Sequence, residues 1–282
     1  MILYKEIRGM QPYLEKARAK GSKIGFVPTM GALHQGHLSL IQQARSENDL
    51  VVCSIFVNPT QFNDPKDFEK YPVTLDSDIL LLEQAATDVL FLPSVQEVYP
   101  NGVQQQHHYN LGYLETILEG AFRPGHFQGV CQVVHRLLTI VQPQRLYLGQ
   151  KDYQQVMVLK KLVELEQLPV EIRVGSTRRE TEGLAMSSRN MRLSADDRHK
   201  ALAIYQALST IRQQLPGKPV DVLKEEATRF LLQQGFEKVD YVEISKADSL
   251  LPAADTDKDQ PLVGLVAAFM NGVRLIDNLL LN

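Results

Sequence analysis

Through its first two thirds the chain alternates short, continuously apolar runs with segments of helical period. A run that is apolar at every position has no face for water, so as a strand it needs cover on both sides of its sheet. Lys23–Thr29 (KIGFVPT) and Leu50–Val57 (LVVCSIFV) read as such strands, with Asp88–Leu92, Arg145–Leu148 and Val170–Val174 as shorter ones. Gly36–Glu47, Leu75–Ala86, Phe127–Val141 and Asp152–Glu166 carry the helical period between them. Pro93 ends a strand and Pro143 stops a helix. This order predicts an α/β fold, a doubly wound parallel sheet with helices on both faces.

The pattern changes near Ser176. Ser194-Ala-Asp-Asp197 resembles a capping box with Asp in place of Glu, and opens a helix predicted to reach Gln214. Pro216-Gly-Lys-Pro219 breaks the chain before a second amphipathic helix, Val220–Gln234. Strands are expected at Lys238–Ser245 and Leu262–Met270, and Asn271-Gly272 is a hairpin signal leading into Val273–Leu281. Helices followed by an antiparallel hairpin suggest a smaller α+β domain, so the expected division is 1–176 and 177–282.

Composition narrows the function classes. With 44% hydrophobic and 22% charged residues over 282 positions, disorder is disfavoured. A formal charge of −3 lacks the basic excess that a nucleic-acid backbone demands. The only cysteines, Cys53 and Cys131, lie in apolar runs and read as buried, reduced thiols, with neither a disulfide framework nor a zinc site. The N-terminal MILYKEIRGMQPYLEKARAK has no secretory pattern, and no apolar stretch approaches the roughly 20 residues needed to cross a bilayer. The expectation is a soluble, cytoplasmic protein without nucleic-acid or membrane partners.

Pro28–His37 (PTMGALHQGH) follows a buried strand and starts a helix. Ligands in open α/β sheets bind beyond the carboxyl ends of strands, and helix N-termini with free N–H groups suit phosphate. Gly31 and Gly36 let the backbone approach a ligand, and His34 and His37 fall on the same side of the first turn, where imidazoles can donate to phosphoryl oxygens. The competing readings are plain surface histidines and a metal pair, for which the HExxH carboxylate and a third ligand are missing. Gly183–Asn190 (GLAMSSRN) offers two hydroxyls, Ser187 and Ser188, and the fixed charge of Arg189; alone it also reads as a polar interdomain loop. FVNPTQF, residues 56–62, follows the second buried strand, and LGQKDYQQ, residues 148–155, follows a later one. Lys151 can reach a phosphate, and Asp152 either caps its helix or meets a nucleotide. The amides of Gln61 and Gln155 suit a substrate rich in hydroxyls. Arg123–Phe127 is either a loop fixing a helix start or a pocket wall. Asp76 and Asp78 are either helix-start carboxylates or Mg²⁺ ligands.

The HxGH segment and the Ser-Ser-Arg loop resemble the HIGH and KMSKS elements of the nucleotidyltransferase superfamily, whose members attack the α-phosphorus of a nucleoside triphosphate. With FVNPTQF, EGAFRPGHFQGV and LGQKDYQQ added, five motifs in order resemble the pantothenate synthetases, from about residue 1 to the terminal RLIDNLL. The resemblance implies a Rossmann-like core and an ATP-dependent, AMP-forming ligase that joins pantoate to β-alanine through pantoyl adenylate, with Mg²⁺ and as a homodimer. It implies His37, His34, Lys151 and Arg189 as catalytic. It implies ATP contacts from Met30, Gly31, Ala32, Leu33, His34, Gln35, Gly36 and His37, from Gly149, Gln150, Lys151 and Asp152, and from Arg178, Met186, Ser187, Ser188 and Arg189. Gln61 and Gln155 are implied to hold pantoate, Gln61 also bordering the β-alanine pocket; the second domain is implied to act as a lid, and no metal ligand is assigned. Two positions depart from the family: Gln150 stands where members often have Glu, and Arg178 where a small apolar residue is expected. Another nucleotidyltransferase, or a non-catalytic nucleotide-binding protein on the same fold, would share part of these features.

Overall fold

A computed structural model describes residues 1–62, 68–104 and 107–282. It divides into two compact units, one of residues 1–149 and 155–176, the other of residues 150–154 and 177–282. The division therefore differs from a single break after residue 176, because the short segment after Gly149 groups with the second unit. The cause is local: Asn278 Nδ2 donates to the carbonyls of Gln150 and Lys151 at 3.0 and 2.8 Å, and the Tyr153 hydroxyl donates to the Ala247 carbonyl at 2.7 Å.

The first unit is built on six strands, β1 (Ile2–Tyr4), β2 (Ile24–Thr29), β3 (Leu50–Ile55), β4 (Val89–Phe91), β5 (Arg145–Gly149) and β6 (Glu171–Gly175), in the order β1-β4-β3-β2-β5-β6. Every pairing is parallel. All six residues of β3 are buried, as its unbroken apolar run requires. The core includes Val27, Ile41, Val51, Cys53, Leu82, Leu90 and Tyr147. From β2 the chain steps outward to β3 and β4, then returns to the other side of β2 with β5. The carboxyl ends of β2 and β5 thus flank a topological switch point, where sheets of this kind leave a crevice. Helices Gln35–Glu47, Leu75–Gln84 and His126–Val141 lie close to the spans expected of them. The N-terminal segment, to which the sequence pattern assigned no element, forms β1 and the helix Ile7–Ala19 around Pro12.

The second unit holds an antiparallel sheet of β7 (Lys238–Lys246), β8 (Leu262–Met270) and β9 (Val273–Leu280). Asn271 and Gly272 both have positive φ, +48° and +70°, as a two-residue turn joining twisted strands demands. Helices Ala203–Gln214 and Val220–Gln233 cover this sheet through Leu208, Ile211, Leu223, Leu231, Ile244 and Val266. The helix expected to run from Ser194 to Gln214 is two, Ala195–Ala201 and Ala203–Gln214. The Leu202 N–H bonds to the His199 carbonyl, three residues back, which tightens the ladder and interrupts it. Among the described residues no helix is long and apolar enough to cross a membrane.

Candidate active site

The loop after β2 is shaped by one carboxylate. Gly31 and Ala32 both have positive φ, +80° and +48°, which turns successive backbone N–H groups toward a common point. That point is Asp78, from the first turn of helix Leu75–Gln84: its Oδ2 accepts from Ala32 N–H at 2.9 Å and its Oδ1 from Leu33 N–H at 2.8 Å. The Thr74 hydroxyl donates to Oδ1 at 3.1 Å, and Asp78 is only 2% exposed. Thr29 completes the loop, donating through its hydroxyl to the Ser54 carbonyl and accepting from Gly31 N–H. A side chain at Gly31 would meet Asp78 and Ile55, each 3.1 Å from its Cβ. The N–H groups of Ala32 and Leu33 are thus used by Asp78, which leaves the start of the helix Gln35–Glu47 as the part of this segment that the phosphate expectation concerns. Of its two readings Asp78 fits the helix-start carboxylate, its oxygens occupied by three donors; Asp76 is exposed at the same helix start. Among the described residues no group of three or more His, Cys, Asp or Glu side chains is arranged to hold a metal.

His34 and His37 cap the helix Gln35–Glu47 reciprocally. Gly36 N–H donates to His34 Nδ1 at 3.1 Å, and His34 N–H donates to His37 Nδ1 at 3.3 Å. The rings lie 4.0 Å apart, tilted by 35°. A nitrogen that accepts from a backbone N–H carries no proton, so each neutral ring keeps its proton on Nε2. The cap therefore fixes both imidazoles in one tautomer, with Nε2–H as donor, beyond the end of β2.

Gln61 follows β3 in a short 3-10 turn, Pro59–Gln61. Its Nε2 donates to the Met30 sulfur at 3.2 Å, which brings the FVNPTQF and HxGH segments together. Asn58, 1% exposed, organises the turn: its Nδ2 reaches Thr60 Oγ1, Gln61 Oε1 and the Gly129 carbonyl, while its Oδ1 accepts from the Tyr99 hydroxyl at 3.0 Å. Burial pushes the Tyr99 phenol up to about 12, so it stays a donor. The Gln61 carbonyl is held by His126 Nδ1 at 2.8 Å and by Arg123. The RPGHF segment thus fixes both the start of helix His126–Val141 and the backbone of Gln61. Gly129 lets that helix press against the turn, since a Cβ there would lie 2.2 Å from the Thr60 carbonyl oxygen. Gln155, on helix Tyr153–Leu165, is half-buried, and Gly149 ends β5.

In the second unit, Gln150, Lys151 and Asp152 form a 3-10 turn, with Lys151 Nζ 3.7 Å from Asp152 Oδ1. The Gln150 amide donates to Asn278 Oδ1 at 3.3 Å, a task a carboxylate could not perform. Residues 178–186 fold back on themselves: Met186 N–H donates to the Arg178 carbonyl at 2.9 Å, and Arg179 bridges Ala185. Arg178 thus serves this hairpin through its backbone, whatever its side chain. Ser187 caps the following 3-10 turn, Ser188–Arg192, by accepting from Arg189 N–H. Buried Asn190 supports the loop from beneath, donating to Glu180 Oε1 and the Ala185 carbonyl, both at 3.0 Å. Sequence reasoning missed Asp78, Asn58 and Asn190 as scaffolding; their one signal is a small polar residue beside apolar or motif positions.

The model of one family, described as pantoate-beta-alanine ligase, matches residues 2–280. A protein of Cytophaga hutchinsonii named pantothenate synthetase is 46% identical, over 100% of this chain and 99% of its own. Its Aquifex aeolicus namesake is 43% identical, over 98% of each. Two solved structures are similar over 100% of this chain, each at 40% identity: pantothenate synthetase from Thermus thermophilus (TM-score 0.91, 99% of that chain) and pantoate-beta-alanine ligase from Francisella tularensis (TM-score 0.82, 98% of that chain). The latter is described as complexed with beta-gamma ATP and beta-alanine. With its two fixed Nε2 donors and the motif order carried end to end, the chain belongs to the pantoate–β-alanine ligase family.

Proposed function

We propose that the chain condenses pantoate with β-alanine, using ATP, to give pantothenate, AMP and pyrophosphate. A carboxylate is a poor acyl donor and must first acquire a good leaving group. A pantoate carboxylate oxygen attacks the α-phosphorus; the bond from that phosphorus to the bridging oxygen breaks, and pyrophosphate departs. The β-alanine amine then attacks the acyl carbon of pantoyl adenylate; the acyl C–O bond to AMP breaks, and the amine gives up a proton. Family membership supports this reading, as do the ATP compound and β-alanine named for the Francisella relative.

One observation carries it at the level of chemistry: the reciprocal His34–His37 cap, which holds both imidazoles by Nδ1 and sets Nε2–H as the donor of each. Such donors act most where charge develops in the transition state, and each is worth about 10²–10³ in rate. In this reading His37 and His34 stabilise the phosphates as pyrophosphate leaves, and Lys151 and Arg189 supply fixed positive charge. Ser187 and Ser188 donate hydroxyls, and Gln61 and Gln155 hold the hydroxyls of pantoate. Met30, Gly31, Ala32, Leu33, Gln35 and Gly36 contact ATP by shape, because the Ala32 and Leu33 amides are bound to Asp78. Gly149, Gln150, Asp152, Arg178 and Met186 contact it chiefly through backbone. Mg²⁺ arrives with ATP as part of the substrate, its shell made of triphosphate oxygens and water. A homodimer in the cytoplasm completes the reading; sedimentation and cell fractionation test those two points. The activity itself is tested by incubating the protein with ATP, Mg²⁺, pantoate and β-alanine and following AMP. AMP that depends on both organic substrates is the expected result. Pyrophosphate without pantothenate would point to a different nucleotidyltransferase.

A further inference from the structure

Strand β9 carries two neighbouring polar residues, Asp277 and Asn278, that are 5% and 2% exposed, between the apolar residues Ile276 and Leu279. Burying two such groups side by side is costly unless their bonds are satisfied, and here the bonds lead to two separate motifs. Both Asn278 Nδ2 hydrogens are used, at 3.0 Å on the Gln150 carbonyl and 2.8 Å on the Lys151 carbonyl, and its Oδ1 accepts from Gln150 Nε2. Asp277 grips Arg179 bidentately, Nη1 to Oδ2 at 2.6 Å and Nη2 to Oδ1 at 3.1 Å. Arg179 is the residue bridged to Ala185 in the hairpin that leads into Ser187–Arg189. Its guanidinium also donates to the Gly183 carbonyl at 3.0 Å and the Asn278 carbonyl at 3.2 Å, and stacks on Tyr205 at 4.1 Å. The Asn278 N–H donates to Asp277 Oδ1 at 2.8 Å, which links the two grips.

We infer that Asp277 and Asn278 are positioning residues for ATP: two consecutive positions of β9 set the Lys151 segment and the Ser-Ser-Arg hairpin in one common frame. The inference rests on the reading that both segments meet ATP. Neither Asp277 nor Asn278 belongs to those segments; each acts through another residue. A side chain that only stabilised the fold would change the amount of active protein, and so the apparent kcat, with the KM of every substrate unchanged. A positioning side chain changes the response to ATP and leaves pantoate alone, since Gln61 and Gln155 belong to the first unit.

The test is Asn278→Ala, made alone and together with Lys151→Ala. Asn278→Ala should lower kcat/KM for ATP by about 10²-fold, a cost that about 1 Å of misplacement can carry, with the KM for ATP raised, while pantoate affinity measured by calorimetry stays at the wild-type value. The double variant should lose less than the sum of the two single losses, because the part of the effect that runs through the lysine is already gone. If Asn278→Ala does not fold, Asn278→Ser, which keeps one hydroxyl donor, takes its place with the same expectations and a smaller loss. Additive losses in the double variant, equal losses for ATP and pantoate, or no loss at all would overturn the inference. Full activity of Lys151→Ala would remove the ATP-site reading and the inference with it. A crippled Lys151→Ala with an additive Asn278→Ala would remove the inference only.

Discussion

Asp78→Asn is the most informative single substitution in the first unit. It keeps the shape of the side chain but leaves one oxygen where there were two. Ala32 and Leu33 each donate to a separate carboxylate oxygen, at 2.9 and 2.8 Å, so one of those bonds must go. In its place an amide N–H faces a backbone N–H, donor against donor. A hydrogen bond to a charged group is worth about 1.5–3 kcal/mol, and a buried donor left unmet costs about 1–3 kcal/mol. The two overlap, so about 3 kcal/mol is the expected loss. At about 2–4 °C per kcal/mol for a unit of this size, Tm should fall by about 6–12 °C. The loop borders a cavity of about 300 Å³ lined in part by Met30, Ala32 and Phe56, so a released loop has room to relax. Relaxation would move the His34–His37 cap, and pyrophosphate exchange into ATP, measured with pantoate present, should slow by about 10²-fold. Thr74→Ala, which removes only the hydroxyl bond to Asp78, should cost about 1 kcal/mol and little exchange rate. An Asp78→Asn protein that melts with the wild type and exchanges pyrophosphate at the wild-type rate would refute the assignment of this carboxylate as the anchor of the loop.

His37→Ala should lower the single-turnover rate of adenylate formation by about 10²–10³, and an unchanged rate would count against a donor role. Gly129→Ala must push helix and turn apart, because the new Cβ would lie 2.2 Å from the Thr60 carbonyl oxygen; pantoate KM should rise more than ATP KM, and equal rises would mean a general loss of structure. Burial pushes the Cys53 and Cys131 thiols up to about 12 from an ordinary 9.0, so the folded chain holds protons that the unfolded chain releases. The stability they contribute is whole below about pH 9 and declines as pH rises toward about 12, a trend that urea melts across that range would show. At about pH 8 a thiol reagent should label neither cysteine until denaturant is added.

Much of this architecture was legible because burial writes itself into sequence. The strand β3 is apolar at every position since both faces are covered, and Asn271-Gly272 announces a turn that demands two left-handed residues. The family was legible in the HxGH and Ser-Ser-Arg segments, whose chemistry few other combinations provide. What stayed hidden is whatever depends on a partner far along the chain. Asp78 lies 46 residues from Ala32, and as a helix-start carboxylate it looks like any other. Asn278 is 127 residues from Lys151, and an Asn in a strand names no partner. The split at Leu202 was hidden for a different reason: the apolar stripe continues across it, and periodicity is blind to one shifted hydrogen bond.

The anchoring of the loop after β2 has a consequence for how such a site can drift. Its amide dipoles point inward to a carboxylate, so the segment offers an electrically quiet floor rather than a positive nest. On the proposed ATP-binding reading, attraction for a polyanion then comes from the start of the helix Gln35–Glu47 and from individual side chains around that floor. Those can be exchanged one at a time without rebuilding the backbone, so nucleotide preference is free to wander while the platform beneath it stays fixed.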